Sequence, residues 1–98
     1  MHRPTIYIPN KGAHDFAPAE EWGTLCFMSE GPLNRYAVTQ MHRIFTEHLC
    51  TSESDDYLLP TSLSVMNLVA CSIFAHKHGR LNLLLFKDGK YAERRIVL

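Results

Sequence analysis

Apolar residues come in short blocks along the chain, and the spacing changes from block to block. Thr5-Ile6-Tyr7-Ile8 is a β-branched and aromatic run between Pro4 and Pro9, which predicts a first strand with enforced ends. After the polar turn from Asn10 to Asp15, a short helix is predicted around Pro18 to Trp22. Pro18 suits its first turn, Glu20 and Glu21 sit near the positive end, and Gly23 reads as its stop. Thr24-Leu25-Cys26-Phe27-Met28 is continuously apolar, as expected of a strand covered on both faces.

The next block changes period. Leu33, Tyr36, Ala37, Met41, Ile44, Phe45 and Leu49 recur at helical steps, with Arg35, Gln40, Arg43 and Glu47 between them, so one amphipathic helix is expected. The run from Thr51 to Asp56 reads as a solvated linker. Tyr57-Leu58-Leu59 is a third strand, closed by Pro60, and Thr61 or Ser62 can cap a helix from Leu63 to His78. That helix is apolar on nearly every face, which predicts that it is largely buried, with a partner chain as one surface able to cover it. Leu81 to Phe86 is the strongest strand, Asp88-Gly89 a tight hairpin turn, and Lys90 to Val97 a returning, polar-faced edge strand.

The order is β-α-β-α-β-α-β-β. It predicts an α/β fold: a mostly parallel sheet with right-handed crossovers, helices packed on it and a C-terminal antiparallel hairpin. At 98 residues the chain is expected to form one domain, 1–98, of a size that dimerisation would help to stabilise. A formal net charge of zero gives no basic field for a nucleic-acid polymer. The most apolar stretch, Leu63 to Ala75, carries Ser64, Asn67 and Ser72 and falls short of the ~20 residues that span a bilayer. With no leader-like segment and three cysteines (Cys26, Cys50, Cys71) in no paired spacing, a reduced, cytoplasmic protein is expected.

In open parallel sheets, ligands gather outside the carboxyl ends of the strands. Here that rule selects the loops from Asn10 to Asp15, from Ser29 to Asn34 and from Pro60 to Ser64. The third leads into a helix N-terminus, whose free N–H groups favour an anion. Asn10, Lys11, Ser29, Arg35, Thr61, Ser62 and Asn67 are therefore the candidate ligand-binding residues, for a nucleotide or another phosphate-bearing small molecule. Asn67 lies in an otherwise apolar helix, where an unpaired amide would cost roughly 1–3 kcal/mol, so it needs a partner. His14 is the candidate catalytic residue, as a general acid or base on a phosphodiester.

Other chemistries lack their patterns. No glycine motif of a dinucleotide site or P-loop is present. His42 and His48, or His76 and His78, do not share a helix face, and no metal site or cofactor is expected. A strand, a polar turn and a buried helix followed by a hairpin resemble small nucleotide-sensing α/β domains in general, at the level of fold only. Three readings follow: a homodimeric binding domain for an anionic ligand, a non-enzymatic interaction module of the kind viruses and mobile elements encode, and a phosphodiester hydrolase using His14.

Overall fold

The structure is a computed structural model, described here over residues 3–12, 14–32, 34, 36–61 and 64–98. Strand β1 (Thr5–Ile8) runs between β2 (Thr24–Phe27) and β3 (Tyr57–Leu58), parallel to both. β4 (Arg80–Lys87) extends the parallel sheet beyond β3, and β5 (Lys90–Val97) returns antiparallel, giving the order β2-β1-β3-β4-β5. This is the expected α/β architecture with its C-terminal hairpin. Asp88 and Gly89 form the two-residue turn with φ of 53° and 80°, the left-handed pair that matches strand twist.

The chain leaves β1 toward one edge, then doubles back from β2 past β1 to β3. With crossovers of one hand, such a reversal puts successive connections on opposite faces. The 3-10 helix Ala17–Glu21 accordingly covers one face, while α1 (Val38–Leu49) and α2 (Ser64–His78) cover the other. On the helical face Tyr7 and Leu58 meet Met41, Phe45 and Leu49 of α1 and Met66, Ala70 and Phe74 of α2. On the other face Ile6, Ile8, Tyr57, Leu59, Leu84 and Tyr91 enclose Phe16 and Ala19. Alternate residues of one strand thus feed two cores, which is why these strands read as continuous apolar runs.

Four expectations need correction. The amphipathic helix begins at Val38, after Tyr36, because Asn34 diverts the chain: its Oδ1 accepts the Tyr36 N–H at 2.9 Å and its carbonyl the Ala37 N–H at 3.0 Å. Tyr36 is therefore 83% exposed and contributes nothing to the core. Apolar residues around α2 do not mean burial all round, since Leu68 is 67% exposed. The polar run Thr51 to Asp56 is no solvated linker throughout, for Ser52 and Asp56 are buried. Gly23 serves close approach: a Cβ there would stand 2.3 Å from the Pro4 carbonyl oxygen, which accepts the Thr24 N–H at 2.9 Å.

Candidate functional site

Position along the sheet decides which loops meet. β1 and β3 are neighbours, while their onward connections diverge to opposite edges, so the switch point of the sheet lies beyond Ile8 and Leu58. Beyond β1 and β2, Asn10, Lys11 and Ser29 come together. The Ser29 hydroxyl donates to the Pro9 carbonyl at 2.6 Å and stands 3.2 Å from Asn10 Oδ1. Asn10 Nδ2 donates to the Gly31 carbonyl at 3.2 Å, and the Lys11 N–H to the Ser29 carbonyl at 2.9 Å. Lys11 Nζ lies 3.9 Å from Glu30 and 5.4 Å from the centre of the Phe27 ring. The polar groups of this cluster are directed at one another.

Thr61 and Asn67 form a second pair. Asn67 Oδ1 accepts the Thr61 N–H at 2.8 Å, and its Nδ2 donates to the Thr61 carbonyl at 2.7 Å. The amide has thereby found main-chain partners, and the Thr61 N–H is occupied. Arg35 and Ser62 lie outside the described residues. His14 is exposed and shares a cleft of about 170 Å3 with Asp15, Phe16, Thr61, Phe86 and Tyr91. Asp15 does not face His14 as a catalytic partner; its Oδ1 accepts the Ala17 N–H at 2.9 Å and starts the 3-10 helix. The candidate residues thus form two clusters, one around Lys11 and one around Thr61.

A larger feature lies on the outer side of the helical layer. His42 and Thr46 of α1 stand four residues apart, as do Leu68, Ser72 and His76 of α2, so each set lines one face of its helix. Between them runs a groove of about 530 Å3 lined by His42, Thr46, Leu49, Cys50, Ser72, Ile73, His76 and Lys77. Past His42 and Ser72 a shallower depression of about 260 Å3 continues along Val38, Leu68 and Val69. Lys77 Nζ donates to the carbonyls of Leu49 at 2.9 Å and Cys50 at 2.6 Å, a cation at the negative end of α1. No carboxylate lines either depression, and Glu47 is the one acidic residue in α1 and α2.

One serine–histidine pair falls close to this groove. The Ser52 hydroxyl donates to the Leu49 carbonyl at 2.6 Å, which leaves it to accept the Nε2–H of His78 at 2.8 Å. A general base would have to accept the serine proton, so this direction is structural. Burial pushes the His78 imidazole below its ordinary value, Lys77 lowers it further, and Asp56 partly opposes both. Burial pushes the Cys26 and Cys71 thiols up, which suits packed groups. Among the described residues no cluster of His, Cys, Asp or Glu could hold a metal ion, and no helix is long and apolar enough to cross a membrane.

The groove was missed in the sequence because its signal looks like a core signal. Leu68, Ser72 and His76 lie on a helix whose apolar residues also include Met66, Ala70 and Phe74, and only the last three are buried. The fold and surface define a small doubly wound α/β domain with one two-helix face left uncovered. A family described as phage Pam3 gp32-like protein matches residues 4–97, and the chain belongs to that family. No curated protein and no solved structure matches it.

Proposed function

We propose that this member of a phage protein family is a non-enzymatic interaction module that receives an amphipathic helix of a partner protein between α1 and α2. The groove of about 530 Å3 carries the reading. Its floor is apolar, from Leu49 and Ile73, and it runs on past the exposed Leu68. Two parallel ridges with an apolar floor suit a helix presenting anchors at three- and four-residue steps. Lys77, His42 and His76 on the rim, with no carboxylate among the lining residues, favour acidic residues flanking the partner's apolar stripe. By contrast, the polar groups around Lys11 are bonded to one another.

Cross-linking mass spectrometry on the full chain, in the cells that express it, tests this reading. The expected result is cross-links from α1 and α2 to one helical, acid-flanked segment, lost in Leu68→Asp and kept in Lys11→Ala. Cross-links that fall elsewhere, or that survive Leu68→Asp together with Ser72→Arg, overturn it.

The cleft shared by His14 and Thr61 favours a second reading, a small anionic ligand at the carboxyl edge of the sheet. At about 170 Å3 it is smaller than the ~300 Å3 at which sites for drug-sized molecules begin, so a phosphate group fits better than a whole nucleotide. A thermal-shift screen against phosphate and mono- and cyclic nucleotides separates the two readings. A ligand at a hundred times its dissociation constant adds about 2.7 kcal/mol. A shift abolished by Thr61→Ala would support this second site, and turnover of a phosphodiester lost in His14→Ala would make it an enzyme.

A further inference from the structure

β5 pairs with β4 along one edge only, and its other edge presents main-chain groups to the outside. The Leu98 N–H donates to the Gly79 carbonyl at 3.0 Å, in line with the register Arg80↔Val97 to Lys87↔Lys90. In an antiparallel ladder, hydrogen-bonded and non-bonded positions alternate. Positions 90, 92, 94 and 96 therefore direct their main-chain groups at β4, and Tyr91, Glu93, Arg95 and Val97 direct theirs outward. The Glu93 carbonyl confirms the phase, since it accepts from the Arg94 guanidinium at 2.7 Å and not from β4. β5 is the last strand of the sheet, so among the described strands nothing pairs with this edge.

The geometry points to a two-fold dimer in which β5 pairs antiparallel with β5 of the other copy, with Arg94 opposite Arg94 at the axis. Outward-facing positions must pair with outward-facing positions, which allows only registers that step by two residues. Centring on Glu93 would set two carboxylates against each other, and centring on Arg95 would oppose two guanidinium groups in a hydrogen-bonded pair. Centring on Arg94 instead sets Glu93 of each copy against Arg95 of the other, twice, with Ala92 opposite Ile96 on the helical face. The cost is one like-charge pair at the axis, where two long exposed side chains can diverge into water. Glu93 and Arg95 already attract within one chain, at 3.2 Å, and both point to the face away from the helices.

Apolar surface supports the same arrangement. Leu85 is 41% exposed and Ile96 46% exposed, and by register both lie on the helical face, beside the partly buried Leu81 and Leu83. The two-fold joins these stripes into one and leaves both helical layers on the same side of a continuous sheet. A formal net charge of zero sets no long-range repulsion against self-association. This interface leaves the groove between α1 and α2 open.

Light scattering over a range of concentrations tests the inference first, with a dimer expected. The register is then tested by charge: Arg94→Ala should tighten the dimer about two- to fivefold by removing the like pair, and Arg95→Ala should weaken it by at least as much. A nonspecific loss of positive charge would move both the same way. In a Cys50→Ser background, Arg94→Cys should oxidise to a disulfide-linked dimer, because non-bonded pairs bring Cα atoms to about 4.5 Å. Arg95→Cys should not, its opposite residue being Glu93. A monomer at every concentration overturns the inference, as does a dimer that Arg95→Ala leaves unchanged or that Arg94→Cys fails to cross-link.

Discussion

The side-chain amide of Asn82 donates to the main-chain oxygen of Asp56 at 2.9 Å, and both residues are sealed from water, at 0% and 2% exposure. The same amide donates to the Ser54 carbonyl at 2.7 Å, and its oxygen accepts from Arg80 Nε at 3.2 Å. Asp56 in turn accepts the Thr5 N–H at 2.9 Å and the Glu53 N–H at 2.8 Å. This network ties β1, β4 and the loop before β3 together at the amino end of the sheet. Asn82→Leu keeps the volume but strips buried carbonyls of their donor, at a cost of roughly 2–3 kcal/mol. Urea unfolding should show a lower midpoint with unchanged slope; a midpoint equal to that of the wild type would mean that water replaces the amide.

This network is hidden in the sequence, and the reason is physical. Asn82 lies between Leu81 and Leu83 and carries the same signal as Asn67, a polar amide in an apolar run, yet it is swallowed by the strand pattern around it. Asp56 sits in a polar run, where a buried carboxylate and a solvated one look alike. Strands, hairpin and helices were legible because their periods differ. The start of α1 was not, because the turn at Asn34 overrides the apolar spacing of Tyr36 and Ala37. For the candidate site, the alternation of strands and helices selects loops at one end of the sheet, but which polar groups bond one another depends on geometry that composition does not carry.

Two glycines should respond oppositely to alanine. At Gly23 the new Cβ would meet the Pro4 carbonyl oxygen at 2.3 Å, a backbone atom held in place by Thr24. Gly23→Ala should therefore cost about 2–3 kcal/mol. At Gly12 nothing lies within 4 Å and the backbone is outside the left-handed region, so Gly12→Ala should stabilise by about 0.5 kcal/mol through the unfolded chain. Thermal unfolding of both variants checks the pair, and equal shifts would contradict the account.

On the face away from the helices, the Tyr57 hydroxyl donates to the Glu93 carboxylate, which Arg95 also reaches at 3.2 Å. Tyr57 first, and Arg95 after it, hold the Glu93 carboxyl below its ordinary 4.5. An acid with a depressed folded value stabilises the protein above its unfolded value, and that contribution fades as pH falls through the folded one. Tyr57→Phe should cost about 1–2 kcal/mol at pH 7 and less in acid, where the wild type has itself lost the bond. Denaturant midpoints at pH 7 and near pH 3 measure the difference; a gap that does not shrink in acid would assign the tyrosine's effect to packing alone.

His78 sets the opposite kind of group in the same balance. Its ring packs against Phe74 with centroids 4.5 Å apart and its Nε2–H is held by Ser52 at 2.8 Å, contacts that fix the ring in a partly buried place. Burial and the Lys77 ammonium push its value below the ordinary 6.5, with Asp56 in opposition. Well above 6.5 the ring is neutral in both folded and unfolded chains and contributes no slope. As pH drops below 6.5 the unfolded chain takes up a proton that the folded one refuses, so stability falls until the folded value is passed. His78→Phe keeps the ring contact with Phe74 and removes the titrating group. Its stability should vary less than that of the wild type between pH 7 and pH 5.5, while His14, His42, His48 and His76, all exposed, remain as internal controls. An identical slope in both proteins would mean that His78 does not carry the acid sensitivity.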